Sequence, residues 1–322
     1  MKVVVSDYTF EDLEPETEAL RGVAELVALR EYPGHAEFVK IAGDADAVLS
    51  QMSPLRAEAI EGLERCKVIV RYGVGVDNVD VPAATRRGIA VCNVPDYCTE
   101  DVADHTLMLA LALVRKLPTS IEYLRGGGWV HEPLRPIQRL STLTFGLYGF
   151  GRIAREVAAR ARAFGFRLLA HDPFVPEAAF TEAGVERADP DALLARSDLL
   201  ALHMPLTPET RNLLNRESLA RMKRGVLLVN TARGGLIDTA ALAEALDSGQ
   251  VGGAALDVLD TEPIPADHPL WQRPTAFMTP HLAWYSEQAL RQLQRSVGEE
   301  CARVLRGEPP KNVVNPEYRE HA

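Results

Sequence analysis

Short apolar, β-branched runs alternate with longer stretches of helical period along most of the chain, the pattern of βα units that feed a parallel sheet. In the first hundred residues, strands are predicted at KVVVS (2–6), AVLSQ (47–51), VIVRY (68–72) and IAVCNV (89–94), with helices at 15–28, 54–63 and 82–87. The last two helical stretches and the first all carry proline near the start, where its fixed φ suits the first turn. A second alternation begins at TLTFGLYGF (142–150) and continues through strands at 166–172, 199–204, 226–231, 253–258 and 276–279. Six strands separated by helical stretches read as a doubly wound sheet. No short fixed period recurs, which excludes a solenoid.

Between the two alternations lies TEDVADHTLMLALALVRKL, starting at Thr99, with an acidic first turn and basic residues near its end. That charge order suits the helix dipole. Its apolar residues cover more than one face, so the helix is expected to be buried between two domains or against a second subunit. Gly126 to Gly128 and the proline-bearing 131–136 then predict a surface loop.

The length of 322 residues exceeds what one core usually supports and favours two domains. A composition of 47% apolar and 25% charged residues is that of an ordinary soluble globular protein. The formal charge of −10, with Lys and Arg scattered among acids, argues against nucleic acid or an anionic membrane as partner. No apolar run reaches the roughly 20 residues a bilayer requires, and the expectation is a cytoplasmic protein. Cys66, Cys92, Cys98 and Cys301 lack metal-ligand spacing, so reduced thiols and no metal are expected.

Chemistry enters at Gly149-Phe150-Gly151-Arg152-Ile153-Ala154, a G-x-G-x-x-A segment that closes a predicted strand and opens a helix at 153–164. Asp172 follows at the end of the next strand, 23 positions beyond Gly149, close to the spacing of about 20 in dinucleotide-binding units. The glycines let backbone approach a pyrophosphate at a helix N-terminus, and Asp172 would accept hydrogen bonds from ribose hydroxyls. A carboxylate there repels a 2′-phosphate, and 171–174 offers no Arg to receive one, so NAD is expected rather than NADP. Arg233 in NTARGGLID, Glu262 in LDVLDTEP and His281 in TPHLAWYSEQ each follow a predicted strand, where ligands bind in open α/β sheets. Together they offer a carboxylate clamp, a carboxylate that orients and charges an imidazole, and an imidazole that exchanges a proton. His203, also after a strand, reads as a cofactor-side residue more than as a second base.

NTARGGLID, ALDVLDTEP and TPHLAWYSEQA resemble the signature segments of the D-isomer-specific 2-hydroxyacid dehydrogenases, and RYGVGVDNVD with GIAVCNVPDYC resembles their substrate-domain pattern. The resemblance covers nearly the whole chain. IAVCNVP and HLAWYSEQA are most similar to the branch holding the C-terminal binding protein corepressors and their bacterial relatives. The resemblance implies two Rossmann-like domains with an active-site cleft between them. A discontinuous substrate-binding domain would be made of 1–98 and 286–322, and an NAD-binding domain of 99–285, with the helix after Thr99 as crossover and homodimer contact.

It further implies that His281 is the acid/base, Glu262 its partner and Arg233 the clamp. Backbone N–H groups around Val74, Gly75 and Val76 would meet the substrate carboxylate. On the cofactor side it implies Tyr148 with the glycine segment, Thr231, Ala232 and Asp257 near the nicotinamide, and Cys98 near the phosphates. His203, Met204, Pro205, Thr207 and Thr210 would lie toward the pyrophosphate and adenine. Trp284 is expected against cofactor and substrate, walling the pocket. The function implied is reversible hydride transfer between NADH and a small 2-oxo acid, with glyoxylate, hydroxypyruvate, 3-phosphoglycerate and larger acids all open. The rival of another class is an NAD(H)-sensing, corepressor-like binding module. A formate dehydrogenase is disfavoured, because those enzymes resemble this chain with glutamine where Glu262 stands.

Overall fold

The computed structural model describes residues 1–321, and the chain divides into two compact units, Met1–Cys98 with Ser286–Ala322, and Thr99–Tyr285. In chain order the first unit holds β1 (Lys2–Val5), α1 (Glu14–Ala19), β2 (Glu25–Ala28), α2 (His35–Ala42), β3 (Ala47–Ser50), α3 (Ala57–Glu61), β4 (Val68–Arg71), α4 (Val81–Arg86) and β5 (Ala90–Cys92). The second holds α5 (Thr99–Val114), α6 (Leu117–Arg125), β6 (Thr144–Tyr148), α7 (Arg152–Ala163), β7 (Arg167–His171), α8 (Glu177–Ala183) and β8 (Glu186–Arg187). It continues with α9 (Pro190–Arg196), β9 (Leu199–Leu202), α10 (Arg216–Ala220), β10 (Val226–Asn230), α11 (Thr239–Asp247), β11 (Val251–Leu256) and β12 (Ala276–Met278). The last helix, α12 (Glu287–Leu305), belongs to the first unit.

Both sheets are parallel throughout, and their central strands are continuous buried runs, as strands covered on both faces must be. The first has the order β2-β1-β3-β4-β5. Helix α12 packs its apolar stripe, including Leu293, Val297, Cys301 and Leu305, against α1, β3 and β4. Burial pushes the Cys66 thiol up to about 12, so that cysteine behaves as a small apolar side chain. The chain after α12 is stitched to β5 by Asn315, whose Oδ1 accepts the Val91 N–H at 2.7 Å while Nδ2 donates to the Ile89 carbonyl at 3.0 Å.

The second sheet has the order β12-β11-β10-β9-β6-β7-β8. Its chain leaves β6 toward β7 and returns on the other side to β9, so the carboxyl ends of β6 and β9 meet at a topological switch point. Two apolar layers cover its faces. One gathers Leu107, Leu109 and Leu113 of α5 with Val157 and Ala161 of α7, and the other gathers Leu193, Leu219, Leu242 and Leu246. Each fully buried Leu or Val of this kind stabilises by about 1.5–3 kcal/mol.

Two predicted helices differ from the sequence reading. The helix expected over 15–28 stops at Ala19, because Gly22 takes φ +74° and redirects the chain, and Glu25–Ala28 then adds to β1 as an edge strand. The helix after Thr99 ends at Val114, where Lys116 adopts φ +50° and a separate amphipathic helix, α6, begins. One face of α5, including Leu107, Leu109 and Leu113, is buried within its own unit, on α7, β10 and β11, while Met108 is exposed. Among the described residues no helix is long and apolar enough to cross a membrane.

Candidate active site

The glycine turn joins β6 to α7 at the switch point. Gly149 has φ +90°, and a β-carbon there would lie 2.7 Å from the His203 carbonyl, so only glycine lets the two strand ends close up. Gly149 N–H donates to the His171 carbonyl at 2.8 Å, and His203 N–H to the Tyr148 carbonyl at 2.7 Å. Gly151 caps α7 without a side-chain cap, and a β-carbon on it would meet nothing within 4 Å. That combination, a twelve-residue helix whose first turn has no side-chain cap, entered through a glycine whose β-position is open, fits a pyrophosphate. Asp172 supports the turn: its Oδ2 accepts the Phe150 N–H at 2.8 Å and its Oδ1 the Phe174 N–H at 2.9 Å. Arg152 and Ile153 form the first turn of α7, Arg152 exposed and Ile153 half-buried against the core.

Across the turn, burial lowers the His203 pKa to about 4, and its Nε2 has no protein partner. The ring is therefore neutral near neutral pH. Beyond it, the Thr210 hydroxyl accepts the Thr207 N–H at 2.7 Å and donates to the Pro205 carbonyl at 2.8 Å, which closes the 205–210 loop. Met204 packs on the apolar layer beneath.

The three residues singled out for chemistry all lie in the second unit, after β10, β11 and β12. His281 Nδ1 stands 2.6 Å from Glu262 Oε2, with the side chains 37% and 30% exposed. Burial pushes the Glu262 carboxyl up, but the bond from His281, the Leu259 N–H at 2.9 Å and the nearby Arg233 guanidinium together leave it below the usual range. Glu262 is therefore ionised near neutral pH, an ionised carboxylate only accepts, and Nδ1 carries the proton. The Nε2 of His281 remains as the atom that can give or take one.

The Arg233 turn is held by buried Asn230, whose Oδ1 accepts the Ala232 N–H at 3.0 Å and whose Nδ2 donates to the Arg233 carbonyl at 2.8 Å. Gly234 then presses on the chain that leads to Glu262, since a β-carbon there would sit 1.8 Å from the Leu259 carbonyl carbon. Thr231 lies in the same turn, and its hydroxyl is 2.8 Å from that of Thr106. Asp257 is 2% exposed, and both its oxygens accept bonds from the segment that carries His281. Trp284 makes an edge contact with Tyr285 at 5.5 Å between ring centroids. Val74, Gly75 and Cys98 belong to the first unit, Val74 exposed and Cys98 buried, with the Val74 carbonyl accepting from Asn93 at 2.6 Å.

Sequence reasoning missed Asn230, His105 and Thr106. The one available signal was the polar pair His105-Thr106 inside an apolar helix, since buried polar groups need partners.

A parallel sheet with a glycine turn at its switch point and an Arg, Glu and His at neighbouring strand ends defines a dinucleotide-binding α/β protein. Residues 107–283 match the family model described as D-isomer specific 2-hydroxyacid dehydrogenase, NAD binding domain. A D-3-phosphoglycerate dehydrogenase of Methanocaldococcus jannaschii is 40% identical over 317 residues, which span 98% of this chain but 59% of that protein. A glyoxylate reductase of Korarchaeum cryptofilum is 38% identical over 289 residues, 88% of this chain and 87% of that one. The crystal structure of a glyoxylate reductase from Paecilomyes thermophila covers 98% of each chain at 31% identity, with a TM-score of 0.89. The chain belongs to the D-isomer-specific 2-hydroxyacid dehydrogenase family, and the residues that match its NAD-binding domain, 107–283, lie within the second unit.

Proposed function

We propose that the protein is an NAD-dependent 2-hydroxyacid dehydrogenase that reduces a small 2-oxo acid such as glyoxylate, hydroxypyruvate or 3-phosphohydroxypyruvate, and runs in reverse on the 2-hydroxy acid. The observation that carries this reading is the 2.6 Å contact between His281 Nδ1 and Glu262 Oε2. With Nδ1 engaged, Nε2 faces the task of protonating the 2-oxo oxygen. Arg233 would hold the substrate carboxylate through two parallel N–H···O bonds, which fixes both position and orientation. The nicotinamide, when bound, supplies the hydride. Glu262 holds the ring through the Nδ1–H bond, and in the reverse direction Nε2 takes the hydroxyl proton. The names of the relatives, reductases and dehydrogenases, favour this enzyme over a corepressor-like binding module. The decisive test is a screen of 2-oxo acids with NADH, read at the nicotinamide absorbance band. No turnover with any of them would overturn the reading.

Preference for NADH over NADPH is part of the same proposal. The wild-type protein should show a much higher kcat/KM with NADH, and Asp172→Ala should narrow that gap. Because Asp172 also holds the Phe150 N–H, the variant should bind NADH more weakly as well. Equal wild-type values for the two cofactors would refute the assignment.

A cytoplasmic homodimer, with neither nucleic acid nor membrane as partner, completes the proposal. Leu117, Ile121 and Leu124 of α6 are 53%, 40% and 54% exposed, and Trp129 after it is 86% exposed. Their helical spacing makes one apolar stripe, the kind of surface that marks an interface. Sedimentation equilibrium should give a dimer at micromolar concentration, and Leu124→Asp should shift it toward monomer. A wild-type monomer under those conditions would end the claim.

A further inference from the structure

His105 and Thr106 interrupt the apolar body of α5, and each reaches a different catalytic loop. Thr106 is fully buried. Its hydroxyl donates to the Val102 carbonyl at 2.7 Å, so the Thr231 hydroxyl at 2.8 Å is the donor to Thr106 Oγ1. Thr231 lies two residues before Arg233. His105 Nε2 is 3.0 Å from Thr279 Oγ1, and Thr279 lies two residues before His281. The single hydroxyl proton of Thr279 goes to Asp257 Oδ1 at 2.5 Å. Thr279 Oγ1 is therefore the acceptor, and His105 donates through Nε2–H.

Asp257 passes the constraint on. Its Oδ1 also accepts the Leu282 N–H at 3.0 Å, its Oδ2 the Ala283 N–H at 2.9 Å, and its backbone carbonyl the His281 N–H at 2.9 Å. His281 is thus clamped on both sides, in a left-handed conformation with φ +50° that residues with a β-carbon adopt infrequently. Burial, outweighing the Asp257 carboxylate, keeps the His105 ring in its neutral form. Neutrality suits a fixed donor rather than a proton carrier.

We propose that α5 aims both catalytic loops: His105 is a positioning residue for His281, acting through Thr279 and Asp257, and Thr106 is one for the Arg233 turn, acting through Thr231. The assignment rests on the roles proposed above for His281 and Arg233. Neither α5 residue touches substrate or cofactor in this account; both act through backbone geometry.

The test compares His105→Phe, which keeps a flat ring without the donor, with His105→Gln, which restores an N–H. Amide hydrogen exchange by mass spectrometry reads the segment 279–285 without requiring turnover. In the Phe variant, exchange at the amides of Leu282 and Ala283 should accelerate about tenfold or more. With NADH and a 2-oxo acid, kcat should fall about tenfold while KM for NADH stays within twofold. The Gln variant should recover both. Unchanged exchange in the Phe variant, or exchange in the Gln variant as fast as in Phe, overturns the proposal. Where the Phe variant does not fold, Thr279→Val removes the relay hydroxyl alone and carries the same exchange prediction. Failure of the wild type to reduce any 2-oxo acid would sink the enzymatic reading, yet the exchange result would still decide the positioning role.

Discussion

Replacing His281 with alanine should leave NADH binding within a few-fold of wild type while kcat for 2-oxo acid reduction falls by about a hundredfold or more, the usual loss for one general acid. The structure explains why the two effects should separate. The glycine turn and Asp172 are built on β6 and β7, whereas His281 follows β12 at the far edge of the same sheet. Glu262→Gln should lower kcat by less than His281→Ala does, since an amide oxygen there can still accept the Nδ1–H bond that the carboxylate accepts at 2.6 Å. Glu262 has its own signature, since its carboxyl is held below the usual range. The support it gives to folding and to His281 is complete above the ordinary carboxylate pKa and is lost only as pH falls through its depressed value. Profiles of kcat against pH for both proteins measure this. An acid limb identical in wild type and Glu262→Gln would remove Glu262 as the partner of His281.

The second large effect belongs to Gly234. Its φ is ordinary, yet a β-carbon would overlap the Leu259 carbonyl carbon at 1.8 Å and the Asp260 nitrogen at 2.3 Å. Backbone cannot yield as a side-chain tip does, so Gly234→Ala must push the chain leading to Glu262 away from the Arg233 turn. Overpacking of this kind costs about 1–3 kcal/mol, which for a unit of this size lowers Tm by roughly 2–12 °C. The kcat of the folded fraction should fall as well. Gly151→Ala is the matched control, because a methyl there meets nothing within 4 Å. It should keep the wild-type Tm while weakening NADH binding, since the methyl occupies space the pyrophosphate would take. Thermal unfolding and cofactor titration of the two variants separate the cases. A Gly234→Ala protein with wild-type Tm and kcat would show that the loops yield more easily than their contact implies.

What the sequence made legible follows from how each residue is held. Central strands such as Val226–Asn230 are read from their own apolar runs, because both faces are covered. Two of the edge strands are not. Glu25–Ala28 has exposed residues at both ends and Glu186–Arg187 is exposed throughout, so nothing in their side chains marks them, and the neighbouring strand decides. Arg233, Glu262 and His281 stand out because they are charged residues placed at strand ends. The contacts of His105 and Thr106 lie 174 and 125 positions away, a separation at which no local spacing rule operates.

The first unit is assembled from two stretches of chain with the whole second unit between them. During synthesis, β3 and β4 leave the ribosome long before α12, whose Leu293, Val297 and Leu305 cover them. At about 5–20 residues per second the delay is on the order of ten seconds or more. Throughout that interval an apolar sheet face stands without its helix, while the later-made unit already has all of its own strands. The unit that is begun first is therefore the one whose parts are completed last, after every strand of the inserted unit has been made.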